Sequence, residues 1–145
     1  MPRRVIDLRP LNKVTKKQSH HVESPFVQAS KMPANTWKTV SDAWNGFHSV
    51  PLDPESRHLT TFITPWGRFW YLVAPKGQEV SGDAYSVRYD DVLVNYERKT
   101  KCVDDCASWD FDVKSQIFRI HSFFTLCGEN GVIQNPGKFQ STVEK

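Results

Sequence analysis

Apolar and polar positions follow more than one period along this chain, and each change of period marks a different element. Residues 4–9 (Arg-Val-Ile-Asp-Leu-Arg) hold a short β-prone apolar core, followed by a polar loop. Residues 18–37, with Pro25, Pro33 and many small polar side chains, read as irregular, with one short helix over 27–31. Thr39-Val40-Ser41-Asp42 has the composition of a strand end, and Asn45-Gly46 that of a bend. Residues 58–75 are strand-like but interrupted at Pro65-Trp66-Gly67, which predicts a hairpin with arms at 59–64 and 68–74. After Pro75-Lys76-Gly77 the period becomes helical. Tyr85, Tyr89, Val92, Leu93 and Tyr96 share one face, with Ser81 as N-cap. Residues 100–103 and 106–109 flank Asp104-Asp105 as two short strands around a tight turn. A second helix fits 113–127, where Val113, Ile117, Ile120, Phe124 and Cys127 repeat at helical spacing between an Asp112 N-cap and Gly128 just past the end. A last short strand or hairpin fits 132–139. This order of elements predicts an α+β fold, a mostly antiparallel sheet packed on two helices.

Composition narrows the picture modestly. A chain of 145 residues supports one modest domain with a real core. A hydrophobic content of 39% and an aromatic content of 12% argue against disorder as a global state. No apolar run is long enough to span a membrane. None follows Met1-Pro2-Arg3-Arg4 either, so no signal peptide is visible and an intracellular location is expected. Cys102, Cys106 and Cys127 are odd in number and match no zinc spacing, which predicts reduced thiols in or near the core. His20-His21 reads as a solvated loop, because sequence neighbours rarely converge on one metal. The net charge of +3 names no partner by itself. Its distribution says more: Arg3, Arg4, Arg9, Lys13, Lys16 and Lys17 face only Asp7 within the first 17 residues. Such a segment is either a phosphate-contacting surface or a merely soluble charged edge.

The chemistry-bearing residues are acids. Asp42 closes one expected strand, and Asp104-Asp105 form the turn of a hairpin much later in the chain. If strand and hairpin are sheet neighbours, three carboxylates meet at one rim. They repel unless cations neutralise them, and Mg²⁺ prefers oxygen ligands. Two such ions can clamp the attacking and leaving oxygens of an in-line phosphoryl transfer. Spacing alone leaves the plainer reading open, since aspartate pairs are common in solvated turns.

The flanking residues are more specific. Arg3 to Lys13 (Arg-Arg-Val-Ile-Asp-Leu-Arg-Pro-Leu-Asn-Lys) resembles a fingers motif ending in D-x-R-x-L-N-K. Residues 42–53 (Asp-Ala-Trp-Asn-Gly-Phe-His-Ser-Val-Pro-Leu-Asp) resemble a metal-binding block D-x-x-x-G/A-F/Y-x-x-V/I-P-L. Cys102-Val103-Asp104-Asp105 stands where an aromatic-x-D-D turn is expected, and Pro75-Lys76-Gly77 matches a P-x-G before a helix. Leu126-Cys127-Gly128, Gly131-Val132 and Asn135-Pro136-Gly137-Lys138-Phe139 resemble the segment that follows. In this order, across nearly the whole chain, the blocks resemble the reverse transcriptases of retroviruses and, more closely, of gypsy-like long-terminal-repeat retrotransposons. The resemblance implies part of a right-hand polymerase fold, with fingers at about 1–16 and 50–80 and palm at about 17–49 and 81–145. It implies an RNA-directed DNA polymerase that adds deoxynucleotides (dNTPs) to a primer 3′-hydroxyl on an RNA or DNA template, using two Mg²⁺ ions with Mn²⁺ as a substitute. Asp42 and Asp104 would be the principal metal ligands, with Asp105 assisting. Arg3 would contact the incoming triphosphate, which main chain near Asn45 and Gly46 would approach closely. Phe47 would pack under the deoxyribose and exclude a 2′-hydroxyl, its plainer role being an ordinary core aromatic. Lys76 and Gly77 would complete the nucleotide site.

Several positions depart from that pattern. Lys76 replaces a glutamine or aromatic, Gln78-Glu79-Val80 brings charge to a helix entry, Cys102 replaces the aromatic, and Cys106-Ala107-Ser108 is small and weakly apolar. The chain begins just before the fingers motif and carries no thumb or ribonuclease H segment after Lys145, so a truncated gene within a longer Pol polyprotein is expected. Two readings stand at this point: an active polymerase segment, and a catalytically inactive element remnant with at most nonspecific nucleic-acid binding.

Overall fold

A computed structural model describes residues 6–17, 19–44 and 46–144. Its elements are α1 (Arg9–Val14), α2 (Pro25–Ser30), β1 (Trp37–Asp42), β2 (Phe62–Thr64), β3 (Gly67–Phe69), α3 (Val80–Val92), β4 (Lys99–Cys102), β5 (Asp105–Asp110), α4 (Val113–Glu129) and β6 (Gln140–Glu144). Short 3₁₀ turns cover Gly46–Ser49 and Pro54–Thr60. The architecture is α+β, as the periodicity predicts. Four strands form an antiparallel sheet in the order β4-β5-β1-β6, and β2 pairs with β3 in a separate hairpin.

The core lies between the sheet and the two long helices. Tyr85, Tyr89 and Leu93 from the α3 side meet Phe123 and Cys127 of α4 and Cys106 of β5. Removing a side chain of that size from water contributes roughly 2–3 kcal/mol. The ring of Tyr85 stacks on that of Tyr89 at 5.5 Å, and Tyr96 meets Phe123 at 5.6 Å. Tyr96 belongs to this core although α3 stops short of it. The ammonium of Lys99 donates to the carbonyls of Leu93 and Tyr96, satisfying main-chain acceptors just past the helix end. Burial holds that amine below its ordinary pKa.

Several local expectations need correction. Residues 4–9 are expected as a strand; positions 4 and 5 lie outside the described residues, Ile6 to Leu8 are irregular, and Arg9 opens α1 where a polar loop is expected. The cause is local: the Asp7 carboxylate accepts the Arg9 main-chain N–H at 3.1 Å, and Pro10 supplies helical φ in the first turn. The hairpin arms are shorter than expected because residues 54–60 coil into a 3₁₀ turn, capped where Asp53 accepts the Glu55 N–H. Glu79, not Ser81, occupies the N-cap of α3; the Ser81 hydroxyl donates instead to the Pro75 carbonyl at 3.1 Å. Helix α4 continues through Gly128, and the left-handed residue after it is Gly131 at φ +67°.

The buried stripe of α4 is also rotated from the apolar one. Gln116, Phe123 and Cys127 face inward, whereas Ile117 and Phe124 are exposed. The sheet surface beneath the first turns is polar. The Gln116 amide donates to Thr39 Oγ1 at 2.8 Å and to the Ser108 carbonyl at 3.3 Å, a fit no aliphatic side chain could make. The 132–139 segment is a turn with one isolated bridge (Ala43 to Gln134), and the closing strand β6 begins after it. All three cysteines are free thiols, with Cys106 and Cys127 buried, as expected. His20 is not simply solvated: its Nε2 lies 2.7 Å from Asp90 Oδ2 on α3. Among the described residues, no helix is long and apolar enough to cross a membrane.

Candidate active site

Sheet register brings the acids together. β1 and β5 run antiparallel with Asp42 opposite Asp105, so the last residue of one strand meets the first of the other. The β4–β5 turn is Val103-Asp104, and its Asp104 carbonyl accepts the Ala43 N–H at 2.9 Å, locking the turn to the end of β1. Val103 adopts φ +53°, which a β-branched residue rarely does. Strain on the order of 1–2 kcal/mol is thus held in the turn that carries the aspartate pair.

Electrostatics agree with three crowded carboxylates. Burial, then the nearby charges of Asp42 and Asp105, push the Asp104 carboxyl above its ordinary value. Burial, then Asp42, also raise Asp105, which shares a hydrogen bond with Asp42. Lys138 opposes the shift at both. Asp104 Oδ1 is buried and finds no hydrogen-bond partner among the described residues. Asp42 is differently served: its Oδ1 accepts from Lys138 Nζ at 3.1 Å and its Oδ2 from Asn135 Nδ2 at 3.4 Å.

A divalent cation suits this donor set. An orphaned carboxylate oxygen and mutually repelling acids are what such an ion relieves. Among the described residues, no group of three acidic, histidine or cysteine side chains is gathered tightly enough to form a ready-made cage.

Beside the acids lies the Gly46–Ser49 turn. Gly46 is buried against Tyr85, and the Phe47 ring meets Tyr85 edge-on, at 6.1 Å between centroids. A cavity of about 380 Å³ opens here between Trp44, Gly46, Ser49, Tyr85 and Ile133. Hydrogen bonds from Ala74 N–H to the Val50 carbonyl (2.8 Å) and from Leu52 N–H to the Leu72 carbonyl (2.9 Å) hold the following strand of chain to the segment before Pro75. Lys76 and Gly77 then form the turn into α3, with Gly77 at φ +98°. Asn12 braces that turn by donating to the Gly77 carbonyl at 2.9 Å and accepting the Glu79 N–H at 3.1 Å.

Of the residues expected at the site, Asp42, Asp104 and Asp105 share one rim, and Gly46 and Phe47 lie on the adjoining turn. Lys76 and Gly77 stand at the entry to α3. Arg3 and Asn45 lie outside the described residues. Sequence reasoning assigned no role to Asn12, Asn135, Lys138 or Tyr85. The first three fall inside recognised blocks, so a signal existed; nothing distinguished Tyr85 from other core aromatics.

The reverse transcriptase (RNA-dependent DNA polymerase) family model matches residues 2–140. The enzymatic polyprotein of cauliflower mosaic virus (strain NY8153) is 25% identical over 140 residues, 95% of this chain and 20% of the viral protein. The chain therefore spans about a fifth of that relative's length. Among solved structures, a foamy viral protease-reverse transcriptase in complex with double-stranded DNA superposes with a TM-score of 0.91 at 21% identity, covering 98% of this chain and 25% of that one. A foamy viral protease-reverse transcriptase in complex with an RNA/DNA hybrid gives 0.87 at 21% identity, covering 94% and 19%. The fold is thus part of the right-hand polymerase architecture. With the family model matching nearly end to end, this chain belongs to the reverse transcriptase family.

Proposed function

We propose that this chain is the fingers-and-palm segment of an RNA-directed DNA polymerase from a gypsy-like long-terminal-repeat retrotransposon, working within a longer Pol polyprotein inside the cell. It adds dNTPs to the 3′-hydroxyl of a primer on an RNA or DNA template. The observation that carries this reading is the register setting Asp42 opposite Asp105, with Asp104 in the adjoining turn and one of its carboxylate oxygens without a hydrogen-bond partner among the described residues. Bound Mg²⁺, or Mn²⁺ in its place, supplies the positive charge that a nucleotidyl transfer needs at its attacking and leaving oxygens.

The chain's own residues do the rest. Asp42, at the end of β1, and Asp104, in the β4–β5 turn, would hold the ions, and Asp105 would add charge at the rim. Main chain near Asn45 and Gly46 lies along the triphosphate, which Arg3 and Lys76 contact with positive charge. Gly77 turns the chain without a side chain in the way. Phe47 forms the floor beneath the sugar. Fingers at about 1–16 and 50–80 and palm at about 17–49 and 81–145 divide these tasks. The basic leading segment contacts template or primer phosphates. The viral relatives held on double-stranded DNA and on an RNA/DNA hybrid support a template-primer as partner.

Primer extension on an RNA template with Mg²⁺, comparing this chain with Asp104→Asn, tests the reading. Template-dependent extension that falls by at least about a hundredfold in the variant is expected, since the change removes a charged ligand. Two blanks would leave an inactive remnant, and equal extension by both would overturn the role of Asp104.

A further inference from the structure

Asp42 is clasped by a built turn. Asn135 N–H donates to the Asp42 main-chain carbonyl at 2.8 Å, and the Asn135 side chain reaches Asp42 Oδ2 at 3.4 Å. The turn closes on itself through Gly137 N–H to Asn135 Oδ1 at 3.1 Å and Lys138 N–H to the Asn135 carbonyl at 3.2 Å. Its last residue places an ammonium 3.1 Å from Asp42 Oδ1. The two partners differ in exposure: the Asp42 side chain is 14% exposed, that of Lys138 64%. A solvent-exposed ammonium therefore rests on a largely covered carboxylate.

We propose that Lys138 is a resident counter-cation of the carboxylate rim, holding Asp42 in the ion-free chain and competing with a divalent ion for it. The inference rests on the metal site proposed above. Three carboxylates on one sheet edge repel, and a positive charge on Asp42 offsets part of that cost. The stem of Lys138 is long and mostly in solvent, so the ammonium can leave without disturbing the sheet. An arriving ion must displace it or tolerate its repulsion, and either weakens binding. The cleft thus stays assembled when empty, at the expense of affinity for the metal.

Binding of Mn²⁺ alone, followed by electron paramagnetic resonance of the free ion at low ionic strength, tests this. Lys138→Met should bind Mn²⁺ roughly tenfold more tightly than the natural chain, and Lys138→Arg should not differ from it. The gap should narrow with added salt. In metal-free buffer Lys138→Met should melt below the natural chain, and Mn²⁺ should raise its Tm by the larger amount. Lys138→Gln, nearer in shape and polarity, repeats the comparison if the methionine variant misfolds. Equal or weaker Mn²⁺ binding by the folded neutral variants overturns the proposal. Asp104→Asn separates the two levels. If that change leaves Mn²⁺ binding untouched, the ion sits elsewhere and both ideas fall. If it weakens binding while Lys138→Met does nothing, only the role of Lys138 falls.

Discussion

Position 46 has no room for anything but glycine, and the obstacle is a tyrosine. A Cβ there would lie 2.6 Å from Cζ of Tyr85, whose ring is fully buried and cannot swing aside. The same ring supports Phe47 edge-on, while Gly82 on α3 leaves space beside it, its would-be Cβ 3.9 Å from Phe47 Cε1. Phe47 is therefore a half-buried ring held edge-on against Tyr85. Rejecting a single hydroxyl needs only such fixed bulk. In any form of the enzyme that extends a primer, Phe47→Ala should incorporate ribonucleotides at least about tenfold more readily relative to deoxyribonucleotides. Single-nucleotide incorporation kinetics with both sugars give the ratio, and an unchanged ratio would reduce Phe47 to a packing residue.

Among the elements, the β5–α4 corner is fastened by charge. Asp110, at the end of β5, pairs with Arg98 ahead of β4 and with Arg119 on α4, whose Nε lies 3.0 Å from Oδ2. Burial works against the ionised Asp110, but the Phe111 N–H and the Arg119 guanidinium outweigh it, and the carboxyl ends below its ordinary value. A depressed acid contributes stability that is fully present above its unfolded pKa of about 4 and is lost as pH falls through the lower folded value. Asp110→Asn should therefore destabilise the chain by roughly 2–4 kcal/mol near pH 7, because two guanidinium groups lose their partner. Urea melts of both proteins should draw together as pH falls below about 4 and converge only below the lowered folded value, where the natural Asp110 is itself protonated. A deficit that persists undiminished there would point to shape, not charge. At this scale the sequence was readable wherever a single period governed an element. β1, the β4–β5 hairpin, α2 and both long helices lie near their expected places. The failures have particular causes: a local carboxylate–amide bond started α1, and a polar sheet face turned α4 to bury Gln116. Neither cause is carried by hydrophobic periodicity.

For the molecule as a whole, the order of acids along the chain was legible, whereas their meeting followed only from the resemblance of the flanking blocks and not from their spacing. Asp42 and Asp105 touch only because of the β1–β5 register, and Lys138 reaches Asp42 from 96 residues away. Long-range pairing of that kind leaves no mark in any local window. The same topology divides the molecule energetically. β1 lies between β5 and β6, under α4, with hydrogen bonds on both edges. Among the described residues the β2–β3 hairpin pairs only with itself, and its side chains find little cover: Ile63 is 75% and Trp66 85% exposed. An isolated two-stranded ribbon is marginal in water, since ordering its backbone costs more than its few apolar contacts return. The hairpin should therefore open without the sheet opening. In native-state hydrogen exchange, the amides paired between Phe62–Thr64 and Gly67–Phe69 should exchange at least about a hundredfold faster than those of Val40 and Ala107, a gap of roughly 3 kcal/mol in opening free energy. If the hairpin serves as proposed in the fingers, such independence would let it reposition about a nucleotide, whereas the strands that carry the carboxylates need the opposite. Equal protection in both regions would mean that the hairpin unfolds only with the whole chain, and that the cleft is bounded by a single rigid body.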